Sequence, residues 1–319
     1  MAAAAETKRP YTSRWKPKGD HEPRLSERDI ALFKLLTRYT YLPSDYIIAL
    51  LRGDKRAWQH RLKHLTGSDY LARPKQQRQH FHANYRPLVY ALGERGFNAL
   101  GERGAECERP RARGNFAHEL MTNEVMASFE LGARDSGVRV ISWADILQSQ
   151  SLPESTRRSP KPFHIPITIT LDGQPIDTHI AADGAPFGIE RVVDDRRVYF
   201  LCPGIEADCG TEPIDASDFA RSSIYKKFVL YLAVEVQGAY RSHFGFPSFY
   251  VPMITTNETR ARSMMDVLSR ITGGTGSKIF LFKTFPAFTS FEKPGPPSGR
   301  MVTDDWQRVG YPPFNFLSS

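Results

Sequence analysis

Cysteine is scarce. Cys107, Cys202 and Cys209 are the only three in 319 residues. An odd trio builds no disulfide framework and points to a reducing compartment, the cytoplasm. Their surroundings carry no zinc-ligand spacing. Long apolar runs are also missing. Nothing approaches the roughly 18 apolar residues of a membrane-crossing helix, so no membrane partner is expected. The first ten residues, MAAAAETKRP, hold four alanines but no apolar core of the length a secretory signal needs. What is present is ample core material. Hydrophobic residues make up 40% and charged residues 24%, which excludes disorder as the global state. The length suits about two domains of ordinary size.

Charge is unevenly spread. Residues 1–113 hold 23 Lys and Arg against 12 Asp and Glu; the remainder holds 20 against 23. A basic first half attracts a polyanion, most often nucleic acid. The plainer reading is a solubilising surface.

Residues 1–23 read as a flexible basic arm. Order begins at Leu25-Ser26-Glu27-Arg28-Asp29, where Ser26 caps a helix and Asp29 favours its first turn. Ile30, Leu32, Phe33, Leu35 and Leu36 supply its apolar face. Ser44 starts a second helix, with Tyr46, Ile47, Leu50 and Leu51 on its buried side, and Gly53 ends it. In the third, from Asp54 to Leu65, Trp58, Leu62 and Leu65 form one apolar stripe. Lys55, Arg56, Gln59, His60, Arg61 and Lys63 lie mostly off it. A strand from Tyr70, a basic stretch from Arg73 to Arg86 and a returning strand to Leu92 follow. This order is that of a winged helix-turn-helix over residues 24–100. Lys55, Arg56, Gln59, His60 and Lys63 then meet phosphates or base edges of duplex DNA. Arg73, Lys75, Arg78, His80, His82 and Arg86 follow the neighbouring backbone as the wing. Such modules also bind proteins. His60, His64, His80 and His82 have no metal spacing. Residues 101–115 lack periodicity and read as a linker.

From 116 to 285 the pattern is α/β with a mixed sheet. A helix runs from near Asn115 to Ala133, with Leu120, Glu124, Ala127 and Leu131 on one side. Val138–Ser142 is a short strand and 149–162 a loop. Asp172-Gly173 turns one hairpin; Asp194-Asp195 turns a second, over Phe187–Ile205. Helices from Ser222 to Val236 and Glu258 to Ile271 flank a strand ending at Ile254, and Lys278–Lys283 is the last strand. Residues 286–319, rich in proline, read as an extension over the surface.

Acids gather at strand ends. Glu206 and Asp208, at i and i+2, face the same side of an extended chain. Pairing of the two hairpins brings Asp183 toward them. Clustered carboxylates resist joint ionisation unless a cation or protons intervene. Mg²⁺ is the usual functional answer. Alternatively, the acids pair with Lys226, Lys227 or Arg221 on the next helix.

The run Tyr199-Phe-Leu-Cys-Pro-Gly-Ile-Glu206-Ala-Asp208-Cys-Gly-Thr-Glu212-Pro213 resembles the "E-x-D-x-G-T-E" signature of the replication-relaxation family. Ser223-Ile224-Tyr225-Lys226-Lys227 is similar to that family's following helix. Leu25–Ile30 and His118–Val125 match in place, and the resemblance spans about residues 24–285. It implies bacterial mobile-element proteins linked to plasmid replication or to mobilisation, with relaxase or replication proteins as partners. It also implies a PD-(D/E)XK nuclease-like second domain. Carried over, Asp183 matches the first acid and Glu206 the acid of the E-x-K step. Asp208 stands where the lysine belongs, Lys226 or Lys227 is the substitute, and Glu124 adds a further acid. The favoured expectation is a DNA-binding accessory protein. The alternatives are a Mg²⁺-dependent endonuclease or nickase, and a transcriptional regulator.

Overall fold

The structure is a computed structural model and describes residues 17, 22–79, 86–104, 115–171, 173–215, 219, 221–285 and 296–318. The basic arm apart from 17, 22 and 23, wing residues His80 and His82, turn residue Asp172 and most of the linker lie outside them. The chain divides into two compact units, Met1–Asn123 and Glu124–Ser319.

The first unit opens with α1 (Glu27–Arg38), where Ser26 and Asp29 form a reciprocal capping box. The two-residue strand β1 (Leu42–Pro43) leads into α2 (Ser44–Leu51) and then α3 (Lys55–Gly67). The second helix is capped by Pro43 rather than Ser44, and it buries Tyr46 and Ile47, while Leu50 and Leu51 are half-buried. Next come β2 (Leu71–Ala72), a 3-10 turn (Lys75–Gln79), β3 (Val89–Leu92) and α4 (Glu94–Gly101). Strand β3 lies between β1 and β2, antiparallel to both.

Trp58 is fully buried on α3 with Leu62 and Leu65, as the stripe predicts. Its indole N–H donates to Arg52 O at 2.8 Å, and the Arg28 guanidinium lies 3.9 Å over its ring. Arg61 has a different task from its helix neighbours. It donates to both oxygens of buried Asp29, at 2.8 and 2.6 Å, and ties α3 to the start of α1.

The boundary between units falls inside α5 (Phe116–Asp135). In the second unit, β4 (Arg139–Ile141) is followed by α6 (Trp143–Gln148) and α7 (Glu154–Arg157). The short helix α7 interrupts the stretch read as loop. Its N-cap is Pro153 and its C-cap Arg158, and four residues are too few to show a period. Strands β5 (Ile165–Leu171) and β6 (Gln174–Ile180) form one hairpin; β7 (Phe187–Val193) and β8 (Arg196–Cys202) form the other. The second hairpin turns through Asp194 and Asp195, both at positive φ (48° and 61°), in line with the primed turns that suit strand twist.

The two hairpins do not pair. The first stands in a sheet of its own, and the second joins β4 in the order β4-β7-β8. Downstream lie β9 (Glu206–Asp208), α8 (Ile224–Gln237), α9 (Ala239–Phe244), β10 (Val251–Thr255), α10 (Glu258–Ile271) and β11 (Ser277–Thr284). The fold ends with α11 (Arg300–Thr303) and β12 (Gln307–Val309). A mixed sheet runs β12-β11-β10-β9, with β9, β10 and β11 parallel and β12 antiparallel. The molecule is thus mixed α/β.

The end of the chain is core, not a surface wrap. Met301, Val302, Trp306, Phe314 and Phe316 are all buried. Trp306 stacks on Phe129 of α5 at 5.9 Å, and Phe316 meets the same ring edge-on at 5.6 Å. Lys283 of β11, itself buried, donates to Arg300 O and Asp304 O at 2.8 and 2.7 Å. Burial of aromatic area explains what periodicity did not reveal.

Candidate functional site

In the first unit the α3 surface divides cleanly. Lys55, Arg56, Gln59, His60 and Lys63 are exposed, opposite the buried stripe. Asp54 caps the helix by accepting from Ala57 N at 2.7 Å, which fixes where the exposed row begins. Of the wing residues, Lys75 is exposed and Arg78 lies on the 3-10 turn. Arg73 is half-buried. Its guanidinium donates to Tyr90 Oη at 3.0 Å and lies over that ring. Buried Gln77 anchors the turn through Pro74 O, Val89 O and Val89 N, each at 3.0 Å.

In the second unit the acids converge only in part. Asp183 lies between β6 and β7. Its N–H donates to Ile205 O at 3.0 Å, and its Oδ2 accepts from Ala207 N at 2.9 Å. These two bonds, not hairpin pairing, bring it to the start of β9. Gly204 makes the approach possible: its φ is +144°, and a Cβ there would stand 2.5 Å from Gly184 O.

Glu206 is 2% exposed and faces α8. Its Oε1 accepts from Tyr231 Oη at 2.6 Å. Its Oε2 has the Lys227 ammonium 2.8 Å away as its cationic partner. The same Nζ lies 3.0 Å from Glu212 Oε2 and 3.7 Å from Asp183 Oδ2. Lys227 and Tyr231 are one helical turn apart, so both meet Glu206. Ser223 sets that phase by capping α8 through Lys226 N at 3.1 Å. Lys226, one residue earlier, points elsewhere and donates to Phe219 O at 2.6 Å. Of the two lysines the sequence offered, only Lys227 joins the acids.

Asp208 is 4% exposed and does not join the cluster. Arg260 of α10 donates to both its oxygens, at 2.9 Å to Oδ1 through Nη2. Thr255 Oγ1 donates to Oδ2 at 2.7 Å and Gly210 N to Oδ1 at 3.1 Å. Glu206 and Asp208 share a strand face, as their spacing requires, but meet different helices: Glu206 meets Lys227 and Tyr231 of α8, and Asp208 meets Arg260 of α10. Glu124 is buried on α5; the groups acting most on Glu206 are Lys227, Asp183 and Tyr231.

The electrostatics follow from this packing. Burial pushes the Glu206 carboxyl up to about 7, with Asp183 adding to the shift and Lys227 opposing it. Burial works against the Lys227 charge, yet Glu206, Asp183 and Glu212 outweigh it and hold the ammonium well above its usual range. Burial, then Asp208 and Asp183, push the Cys209 thiol up to about 12, so it is no nucleophile at neutral pH.

Mg²⁺ requires near-octahedral oxygen ligands at about 2.0–2.1 Å. The residues as arranged do not fit it. Among the described residues no group of three or more His, Cys, Asp or Glu is placed to hold a metal ion. Each acid is already oriented by a protein donor: Asp183 by Ala207 N, Glu206 by Tyr231, Glu212 by Ser222 Oγ. Of the acids expected together, Asp183 and Glu206 meet around Lys227 with Glu212, whereas Asp208 pairs with Arg260.

Sequence reading did not single out Glu212, Tyr231, Arg260 or Thr255. Glu212 is the last letter of the quoted signature and carried the one available signal. Its main-chain oxygen also accepts from Arg260, so one loop residue serves both clusters. The other three become visible only when strand register and helix phase are known.

Among the described residues, no helix is long and apolar enough to cross a membrane. No curated protein and no solved structure matches the chain. A family model described as replication-relaxation matches residues 33–240, which take in α3 and the whole acid–lysine cluster. With that match extending over more than half of its length, the chain belongs to the replication-relaxation family.

Proposed function

We propose that this protein binds duplex DNA through its first unit, as a cytoplasmic accessory factor in plasmid or mobile-element replication or relaxation. The observation that carries the reading is the outer face of α3, where Lys55, Arg56, Gln59, His60 and Lys63 stand exposed opposite a sealed apolar stripe. The element order, three helices and an antiparallel three-strand arrangement with a basic turn, supports a winged helix-turn-helix. In that reading α3 enters the major groove. Lys55, Arg56 and Lys63 neutralise phosphates, and Gln59 and His60 reach base edges. Lys75 and Arg78 follow the adjacent backbone, while Arg73 braces the wing through Tyr90. Relaxase or replication proteins are the proposed partners.

For the second unit we propose a PD-(D/E)XK-like domain. Support comes from the succession of α5, β4, β7, β8, α8 and β10, and from an acid-acid-lysine set made of Asp183, Glu206 and Lys227. Domain limits near 24–100 and 116–285 belong to the same reading.

The test is a titration of duplex DNA at several salt concentrations. Log affinity should fall with log salt by roughly 0.9 per phosphate contacted. The Lys55→Ala/Arg56→Ala/Lys63→Ala variant should bind more weakly with a flatter slope. Equal slopes for the two proteins would sink the assignment of α3 to the DNA surface.

A further inference from the structure

We infer that the ammonium of Lys227 supplies from within the chain the positive charge that a divalent metal ion supplies in carboxylate clusters of this kind, so that the second unit is locked by an ion cluster and does not hydrolyse DNA. The inference concerns the second unit alone and does not depend on how the first unit meets DNA.

The geometry is that of a central cation. Lys227 Nζ stands 2.8, 3.0 and 3.7 Å from carboxylate oxygens of Glu206, Glu212 and Asp183. Three carboxylates surround this one ammonium. Its side chain is 17% exposed, as is that of Glu212, and Glu206 is 2% exposed, so water screens the cluster weakly. The acids are also turned toward protein donors. Tyr231, Ala207 N and Ser222 each hold one carboxylate in place. A metal ion entering here would have to displace Nζ and leave an ammonium buried against it. The position that the PD-(D/E)XK pattern gives to its lysine holds Asp208, and Asp208 is itself neutralised by Arg260. Two cations from two helices thus answer the acids of β9.

The consequence is a swap. Removing the ammonium leaves three carboxylates close together and only partly solvated, an arrangement that calls for a cation. The full chain and its Lys227→Met, Lys227→Arg and Lys227→Met/Glu206→Gln variants are melted with and without millimolar MgCl₂ or MnCl₂. Wild type is expected to show no metal-dependent rise in melting temperature and no nicking of supercoiled plasmid. Lys227→Met should melt lower without metal and recover at least half of the loss with Mn²⁺. The double variant, short of one carboxylate, should lose that recovery. Lys227→Arg, which keeps the charge, should remain insensitive to metal. Calorimetric titration of wild type with MnCl₂ provides an answer even if Lys227→Met fails to fold, and no binding is expected. A metal-dependent rise or Mn²⁺ binding in wild type overturns the inference. So does plasmid nicking that Asp183→Asn abolishes, or a Lys227→Met protein that responds to Mn²⁺ no more than wild type.

Discussion

Trp58 shows how much a single side chain can be asked to do. Its ring is fully buried, its N–H is spent on Arg52 O, and Arg28 covers its face. Trp58→Ala should cost about 3–5 kcal/mol and unfold the first unit, as read by urea denaturation. A folded variant that loses DNA affinity alone would move this residue from core to interface. Glu206 belongs to the same scale. Its carboxyl rises from an ordinary value of 4.5 to about 7, chiefly through burial. The folded state therefore holds the proton more firmly than the unfolded chain. That contribution to stability is fully present below about pH 4.5 and is lost as pH rises through about 7. Glu206→Gln should flatten this decline, measured as melting temperature across that window. An unchanged pH slope in the variant would show that another group sets it.

Among the elements, α8 and the final segment carry the most consequence. Helix α8 places Lys227 and Tyr231 on Glu206 because Ser223 caps it and the two residues are one turn apart. Its apolar positions Ile224, Phe228, Leu230, Tyr231 and Val234 are buried, as the periodicity of the sequence predicts. The final segment was not predictable in that way. Trp306, Phe314 and Phe316 sit among prolines, glycines and polar residues with no period, yet they pack on Phe129 and Phe200. Trp306→Ala should cost about 3–5 kcal/mol in the second unit, checked by chemical denaturation. A loss below about 1 kcal/mol would mean that the segment only drapes over the domain, as such substitutions away from cores usually cost little.

For the molecule as a whole, charge divides along the chain. The basic excess lies in residues 1–113, and the rest is mildly acidic. DNA affinity should therefore follow the α3 lysines and arginine and be indifferent to the acids of β9. Equilibrium binding of Glu206→Gln to duplex DNA should match wild type within about twofold, since a group buried inside the second unit contributes little to counterion release. A large gain or loss in that variant would draw the second unit into the DNA interface.

Sequence alone determined the parts governed by short-range physics. Caps, helical stripes and strand alternation located α1, α3, α5, α8 and α10, and both hairpins, because each rests on neighbours within a turn or a few residues. The same patterns marked Trp58 as core and kept Lys55, Arg56 and Lys63 outside it. The quoted signature marked Glu206 and Asp208 as a set and contained Glu212, but did not reveal their partners. Which lysine meets Glu206, and that Arg260 takes Asp208, depends on the β9–β10 register and on the phase of two helices. Asp183 reaches the site through two main-chain contacts to residues more than twenty positions away. Side chains of like charge pattern can bind a metal, bind one another or pair with cations. Only their placement in three dimensions, where burial raises the cost of an unpaired charge, decides among the three.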